Sequence, residues 1–327
     1  MRIDELTFEQ VVTGMRAIKY PAQDSYRAMY SSWLGGIVRD PQLMTIPIDD
    51  HGFHRGDAVF EAIKCVNRKI YALDQHLERM QRSASYIGLK LPLSISDMRE
   101  IAIETTLSAK VSDAILRFYV SRGPGGFTAN PYDSVAPQTY LVVTSYTAPA
   151  HSKYENGVSA KVSSISIKEG FFSTVKSCNY LPNVMMKKEA VDQGVDFTVS
   201  VDEEGFLGEG STENFAILSE RGEFLVPGFE RTLKGITISR MMELAKDVKG
   251  VTAIRNAQIT VADVEKAKEA FMFGTTLDCL PVTQFNGKPV GDGKVGQVAK
   301  AFLLSLSDDL IAGPLLTKLY ERSTRRG

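Results

Sequence analysis

Three side chains between residues 176 and 215 have types that could share one reaction: Lys176, Tyr180 four residues on, and Glu209, a carboxylate set between Gly208 and Gly210. A lysine amine can bond the aldehyde of pyridoxal phosphate, a phenol can donate to that cofactor's ring oxygen, and a carboxylate can hold its ring nitrogen protonated. Flanking glycines let backbone and side chain approach a ligand closely. By type alone, the same residues also read as a solvated lysine, a packed tyrosine and a turn glutamate. Spacing does not decide between the two.

The elements around them must do the positioning. A helix is expected after Tyr180, with Pro182 near its first turn, Val184, Met185 and Val191 on its apolar side and Gly194 as its stop. Val195, Phe197, Val199 and Val201 then alternate with Asp196, Thr198 and Ser200, which predicts a half-buried strand. The turn at residues 202–205 (DEEG) sends the chain back to deliver Glu209.

Six stretches in this order carry a resemblance: HRGDAVFE at 54–61, LDQHLER at 73–79, KSCNY at 176–180, GEGSTENF at 208–215, LKGIT at 233–237 and FGTT at 273–276. Together they resemble the class IV (fold-type IV) pyridoxal-phosphate aminotransferases, a family of branched-chain and D-amino acid aminotransferases and aminodeoxychorismate lyases. The likeness spans roughly residues 27 to 300. MYSS at 29–32 followed by GGI at 35–37 is similar to the plant-type D-amino acid transaminase group in particular.

The resemblance implies an α+β chain of two domains with pyridoxal 5'-phosphate in the cleft between them, working as a homodimer on amino acid and 2-oxo acid substrates. It implies Lys176 as the cofactor's covalent anchor and the carrier of the substrate proton, Glu209 against the ring nitrogen, and Tyr180 on the ring oxygen. Arg79, the amides of Ile236 and Thr237, and Thr275 are implied as the phosphate's ligands. Planar guanidinium suits two phosphate oxygens at once, and helix-start amides suit an anion. On the substrate side, Phe60 matches an aromatic wall of the branched-chain enzymes and Arg117 an arginine that meets a second carboxylate. Arg55 stands where those enzymes usually carry tyrosine, and with Arg117 it is expected to read the substrate's carboxylates. The Arg-x-His pair of bacterial D-amino acid transaminases has no counterpart in residues 125–130 (GGFTAN). The main reading is an aminotransferase using a D-amino acid or a branched-chain L-amino acid with an acceptor such as 2-oxoglutarate or pyruvate. A lyase releasing pyruvate and 4-aminobenzoate, and a non-catalytic relative kept as an interaction surface, stand as alternatives.

Taken in order, the chain predicts an N-terminal helix within residues 1–20 with a capping box from Thr7 to Gln10, then a strand near 28–32 and a short strand or extended segment at 44–48. A strand over 58–66 turns at Asn67–Arg68, and a helix over 73–87 follows with Asp74 as its N-cap and Leu73, Leu77, Met80, Ala84 and Ile87 as its buried face. Arg79 lies off that stripe, and His76 reads as a satisfied structural histidine. Arg117 interrupts an apolar strand over 114–120 and needs either a ligand or a carboxylate such as Asp57 or Glu61. A polar, turn-rich segment at 147–157 divides an N-terminal domain (1–146) from a C-terminal one (158–327), with strand expected over 158–167 and a frayed basic tail from Thr317.

Composition sets the outer bounds. The 327 residues are 43% hydrophobic and 24% charged, the profile of an ordinary globular protein. A net charge of −1 argues against nucleic acid or an anionic membrane as partner. No apolar run reaches the length of a membrane span, and the N-terminus has no signal-peptide core. Cys65, Cys178 and Cys279 lack disulfide or metal spacing, as expected of a cytoplasmic protein.

Overall fold

The computed structural model describes residues 3–320 apart from 167 and 169. The chain opens with α1 (Phe8–Ala17), capped by the reciprocal Thr7–Gln10 box, and continues through β1 (Tyr26–Ser31) and β2 (Gly36–Val38). Residues 44–47 form neither helix nor strand, and 48–49 turn the chain. Next come α2 (His51–His54), β3 (Ala58–Val66), β4 (Lys69–Tyr71), α3 (Leu73–Tyr86), α4 (Ile95–Ala109), β5 (Ala114–Ser121) and β6 (Gln138–Ser145). The expected linker contains a short helix, α5 (His151–Asn156). Beyond it lie β7 (Val158–Val162), α6 (Leu181–Asp192), β8 (Phe197–Val201), β9 (Leu207–Gly210), β10 (Asn214–Leu218), β11 (Glu223–Val226), α7 (Ile236–Leu244), β12 (Ala253–Asn256) and α8 (Val261–Lys266). The last elements are β13 (Glu269–Gly274), β14 (Asp278–Phe285), β15 (Lys288–Pro289), α9 (Gln297–Ala312) and β16 (Leu316–Lys318).

Two sheets organise these elements. The first is antiparallel, in the order β16-β4-β3-β5-β6-β1-β2. The second is mixed, running β12-β11-β10-β13-β14-β7-β8-β9 with β15 beside β14. The expected tail begins as β16, which returns to pair with β4 of the first sheet; residues 321–327 lie outside the described part. The strand expected to reach Ile167 ends at Val162, and Ile167 itself is not among the described residues.

Strand alternation explains how β3 serves two purposes. Val59, Ile63 and Cys65 turn toward the helices and join a core with Leu73, Leu77, Met80 and Ala84 of α3 and Met98 and Ala102 of α4. The opposite face, with Phe60, Ala62 and Lys64, is left for chemistry. Asn67 and Arg68, both at positive φ, close the tight turn into β4. The start of α3 differs from the sequence expectation. Its N-cap is Ala72 in the left-handed region, and Asp74 sits in the first turn, where a negative charge favours the helix dipole.

Helix α6 also departs from expectation. Asn183, Met186 and Ala190 face inward, while Leu181, Val184, Met185 and Val191 are exposed. The inward side pairs one polar residue, Asn183, with the smaller apolar set Met186 and Ala190, and Thr198 of β8 donates to the Met186 carbonyl at 2.9 Å. That strand is buried on both sides through most of its length, not on one.

Candidate active site

Lys176 is delivered by an extended segment that adds to the edge of β3. The Phe60 amide donates to the Lys176 carbonyl at 3.0 Å and the Cys178 amide to the Ala58 carbonyl at 2.8 Å. Ser83 of α3 accepts the Lys176 amide at 3.2 Å. Held on both sides, the lysine is 9% exposed and its Nζ lies 4.5 Å from the centre of the Phe60 ring and 5.8 Å from that of Tyr180. Burial, then the nearby Arg79 charge, lower its pKa to about 8, against opposing pulls from Glu61 and Glu209. A substantial neutral fraction near pH 8 is what a nucleophilic and proton-carrying amine needs.

Glu209 comes from β9. Ser200 of β8 bonds its backbone on both sides, accepting its amide at 3.2 Å and donating to its carbonyl at 2.9 Å. Its carboxylate accepts the Leu233 amide at 3.1 Å. Burial raises its pKa to about 7, opposed chiefly by that amide and by Lys176 and Lys168. A carboxyl so placed gains most from a cation brought against it. A Cβ at Gly210 would come within 2.7 Å of the Met272 methyl, so a larger residue there would have to displace that flexible side-chain end. Tyr180, at the N-cap of α6, has its phenol pKa pushed up by burial and by Glu209, so it stays protonated as a donor.

Arg79 is buried, not on the solvated side that the sequence stripe suggests. Its Nε and one terminal nitrogen bond the two oxygens of Glu61 at 2.7 and 2.6 Å, and the other terminal nitrogen bonds the Lys234 carbonyl at 3.0 Å. His76 adds a 2.7 Å contact to the same carboxylate. Glu61 is fully enclosed, yet its pKa falls to about 2; burial opposes this and the Arg79 and His76 contacts outweigh it. The motif at 54–61 contained Glu61, but sequence reasoning assigned it no such role. Its place on the helix side of β3 was the available signal. Lys168 was also missed: its Nζ lies 4.9 Å over the Tyr180 ring, with its pKa lowered by burial.

One cavity of about 300 Å³ gathers Phe60, Arg79, Arg117, Lys176, Tyr180, Ile236, Thr237 and Thr275 on its walls. Helix α7 begins there at the N-cap Gly235, which offers no side-chain cap, so its first amides are free for an anion. Glu209 borders the same space through Leu233 and Asn214, both lining residues. A larger cavity of about 850 Å³ lies on the same face of the first sheet, and Arg117 lines both. Arg117 bonds Thr144 at 2.9 Å and pairs with no carboxylate among the described residues. Asp57 is instead committed to Arg122, at 2.9 Å in each of two bonds. Arg55 is not brought to either cavity. It is exposed and donates to the carbonyls of His54 and Phe127, tying α2 to the glycine-rich loop.

This pairing of two sheets around a buried lysine and carboxylate defines a fold-type IV aminotransferase. The chain belongs to the class IV aminotransferase family, whose profile matches residues 58–285. It is 38% identical to the chloroplastic D-amino-acid transaminase of Arabidopsis thaliana over 293 residues, 88% of this chain and 78% of that one. It is 27% identical to the D-alanine aminotransferase of Bacillus licheniformis over 270 residues, 82% and 92% of the two chains. The Escherichia coli branched-chain amino acid aminotransferase superposes with a TM-score of 0.83 at 23% identity, covering 90% of this chain and all of that one. The enzyme class is pyridoxal-phosphate-dependent transamination. The residues present fit that cofactor: an enclosed amine of lowered pKa, an enclosed carboxyl awaiting a cation, and an uncapped helix start lie around one cavity. No helix among the described residues is long and apolar enough to cross a membrane.

Proposed function

We propose that the chain moves an amino group from a D-amino acid to a 2-oxo acid such as pyruvate or 2-oxoglutarate, with Lys176 as the reacting amine. The observation that carries this is the convergence of Lys176, Tyr180, Arg79, the start of α7 and Thr275 on one cavity, with Glu209 at its border. Bound pyridoxal phosphate supplies an aldehyde for amines and a conjugated ring that takes up the electron pair left when the alpha carbon loses its proton.

The protein's part is to bind, orient and move protons. Arg79, the Ile236 and Thr237 amides and the Thr275 hydroxyl hold the phosphate, Arg79 through the donors that Glu61 and Lys234 leave open. Tyr180 would donate to the ring oxygen, and Glu209 would accept from the protonated ring nitrogen and so keep it cationic. The Lys176 amine would take the proton from the substrate's alpha carbon and deliver it to the cofactor's aldehyde carbon, on the other side of the amino nitrogen. Phe60 walls the site, and Arg117 holds a substrate carboxylate where the two cavities meet. Arg55 acts on the loop through Phe127 and not on substrate.

The choice of a D-amino acid follows the activity of the Arabidopsis relative. Adding D-alanine, L-leucine and L-glutamate separately to purified holoenzyme tests it. D-alanine should discharge the visible band of the lysine-bound cofactor fastest and yield pyruvate only in step with that discharge. Faster discharge by L-leucine would move the donor to the branched-chain class. Pyruvate and 4-aminobenzoate formed from aminodeoxychorismate without an acceptor would favour the lyase.

A homodimer completes the proposal. Leu181, Val184, Met185 and Val191 of α6, with the stacked Phe171 and Phe172, leave apolar surface exposed beside the site, as expected of a face that meets a second copy. Light scattering at micromolar concentration should give twice the 36.0 kDa chain mass. The domain division at 147–157 and a cytoplasmic location remain part of this reading.

A further inference from the structure

The turn at residues 274–277 joins β13 to β14 and puts Gly274, Thr275 and Thr276 on the wall of the cofactor cavity. Its internal bonding is slight: the Leu277 amide reaches the Gly274 carbonyl at 3.2 Å. Its far side is held by three contacts from remote parts of the chain. Tyr146 donates its hydroxyl to the Thr276 carbonyl at 2.9 Å, and Tyr154 donates to the Leu277 carbonyl at 3.1 Å. Lys64 of β3 reaches Asp278 at 2.6 Å. The Lys64 side chain is 2% exposed, and its Nζ lies 4.9 Å over the Tyr146 ring, which joins two of the tethers into one unit. Asp278 sits at φ +58, a left-handed conformation that aspartate tolerates better than most side chains, and it opens β14 there.

Burying the Lys64 charge against the part-exposed Asp278 costs desolvation that their attraction does not always repay, so the contact is poorly explained by stability alone. A phosphate site, by contrast, needs its donors fixed within about half an ångström. The Lys64 charge is engaged by Asp278, so it does not act on the phosphate directly. We propose that Lys64, Asp278 and Tyr146 are positioning residues that hold the 274–277 turn at the distance where Thr275 meets the cofactor phosphate. The inference rests on the reading above that places the phosphate against Thr275.

Full-length parent, Tyr146→Phe and Lys64→Met are titrated with pyridoxal phosphate and, separately, with pyridoxal, which lacks the phosphate. Visible absorbance of the lysine-bound form reports binding in both cases. Parent should bind pyridoxal phosphate far more tightly than pyridoxal. Tyr146→Phe removes only one hydroxyl, and should weaken pyridoxal phosphate binding roughly three- to tenfold while leaving pyridoxal binding unchanged. Lys64→Met should show the same selective loss, larger in size; Tyr146→Phe alone carries the test if Lys64→Met does not fold. Equal losses for both ligands would assign the contacts to general packing and overturn the inference, as would no loss for either. Parent binding the two ligands alike would overturn the phosphate placement itself, and with it the inference, before any variant is compared.

Discussion

Glu61 and Arg79, eighteen residues apart, form a two-pronged ion pair at 2.7 and 2.6 Å, enclosed between β3 and α3 on the helix side of the cofactor cavity. The geometry fixes the plane of the guanidinium and leaves its remaining donors for another anion. A lone arginine in that place would be mobile and costly to bury; the carboxylate makes it rigid.

Replacing Glu61 with Gln should therefore cost roughly 3–5 kcal/mol of stability, because the Arg79 charge stays buried without its partner. The pH dependence has a definite sign. A carboxyl whose folded pKa falls from 4.5 to about 2 contributes stability that is fully present above 4.5 and is lost as pH falls through about 2. Acid unfolding followed by circular dichroism should show a steeper loss in parent than in Glu61→Gln between pH 4.5 and 2. Superimposable curves would mean the pair contributes nothing net.

Lys176 should be the residue that carries the cofactor. Borohydride reduction of holoenzyme and peptide mapping are expected to place the label on Lys176, and Lys176→Ala should abolish turnover in a chain that remains folded. Label on Lys187 or Lys188 would defeat the assignment. The free amine, with its pKa lowered to about 8, loses its proton as pH rises through that value. The rate of cofactor capture by the free protein should accordingly rise between pH 7 and 9 and level off above. A flat profile would mean that capture is limited by another step.

Much of the site lies in short contiguous motifs, which is why residue types could be read together. Gly-flanked Glu209, Lys176 with Tyr180, and the 236–237 helix start are local patterns. Contacts that depend on how one element settles on another were not legible. Arg79 looks solvated on a helical wheel, and only the docking of α3 on β3 brings Glu61 to it. Lys64 and Asp278 are 214 residues apart, with no local pattern to join them. Helix α6 misleads in the other direction: Leu181, Val184, Met185 and Val191 point outward, and Asn183, Met186 and Ala190 are the residues that face inward. Arg55 has a suggestive motif position, but the turn after α2 aims it at the Phe127 carbonyl.

Glu209→Gln should separate the electronic role of this carboxylate from its structural one. A neutral amide keeps the shape but cannot stabilise a cationic ring nitrogen, a loss of roughly 1.5–3 kcal/mol, or about ten- to a hundredfold in the proton-transfer step. Single-turnover kinetics with the chosen donor read this directly, and rates equal to parent would reduce Glu209 to a turn residue. Stability of the cofactor-free chain should move the opposite way. A carboxyl raised from 4.5 to about 7 favours the folded state less and less as pH climbs from 4.5 through 7, and the mutant lacks that penalty. Melting temperature of Glu209→Gln relative to parent should therefore rise across that window.

Arg117 is the sharpest test of substrate class. Its strand position is otherwise apolar, it lines both cavities, and its hydrogen-bond partner is the neutral Thr144. The carboxylates that could have made it an internal ion pair are engaged elsewhere, Glu61 by Arg79 and Asp57 by Arg122. A half-buried guanidinium in this setting is suited to a carboxylate that arrives with the substrate. If that carboxylate is the second one of a dicarboxylic acid, Arg117→Leu should raise KM for glutamate and 2-oxoglutarate about ten- to a hundredfold and hardly alter alanine. If it is the one beside the reacting carbon, both substrates should suffer alike, with the melting temperature unchanged. Equal losses accompanied by a lowered melting temperature would return Arg117 to the scaffold. Measuring kcat/KM for the two donors in parent and mutant, with thermal unfolding alongside, separates the three outcomes because each predicts a different combination of substrate dependence and stability.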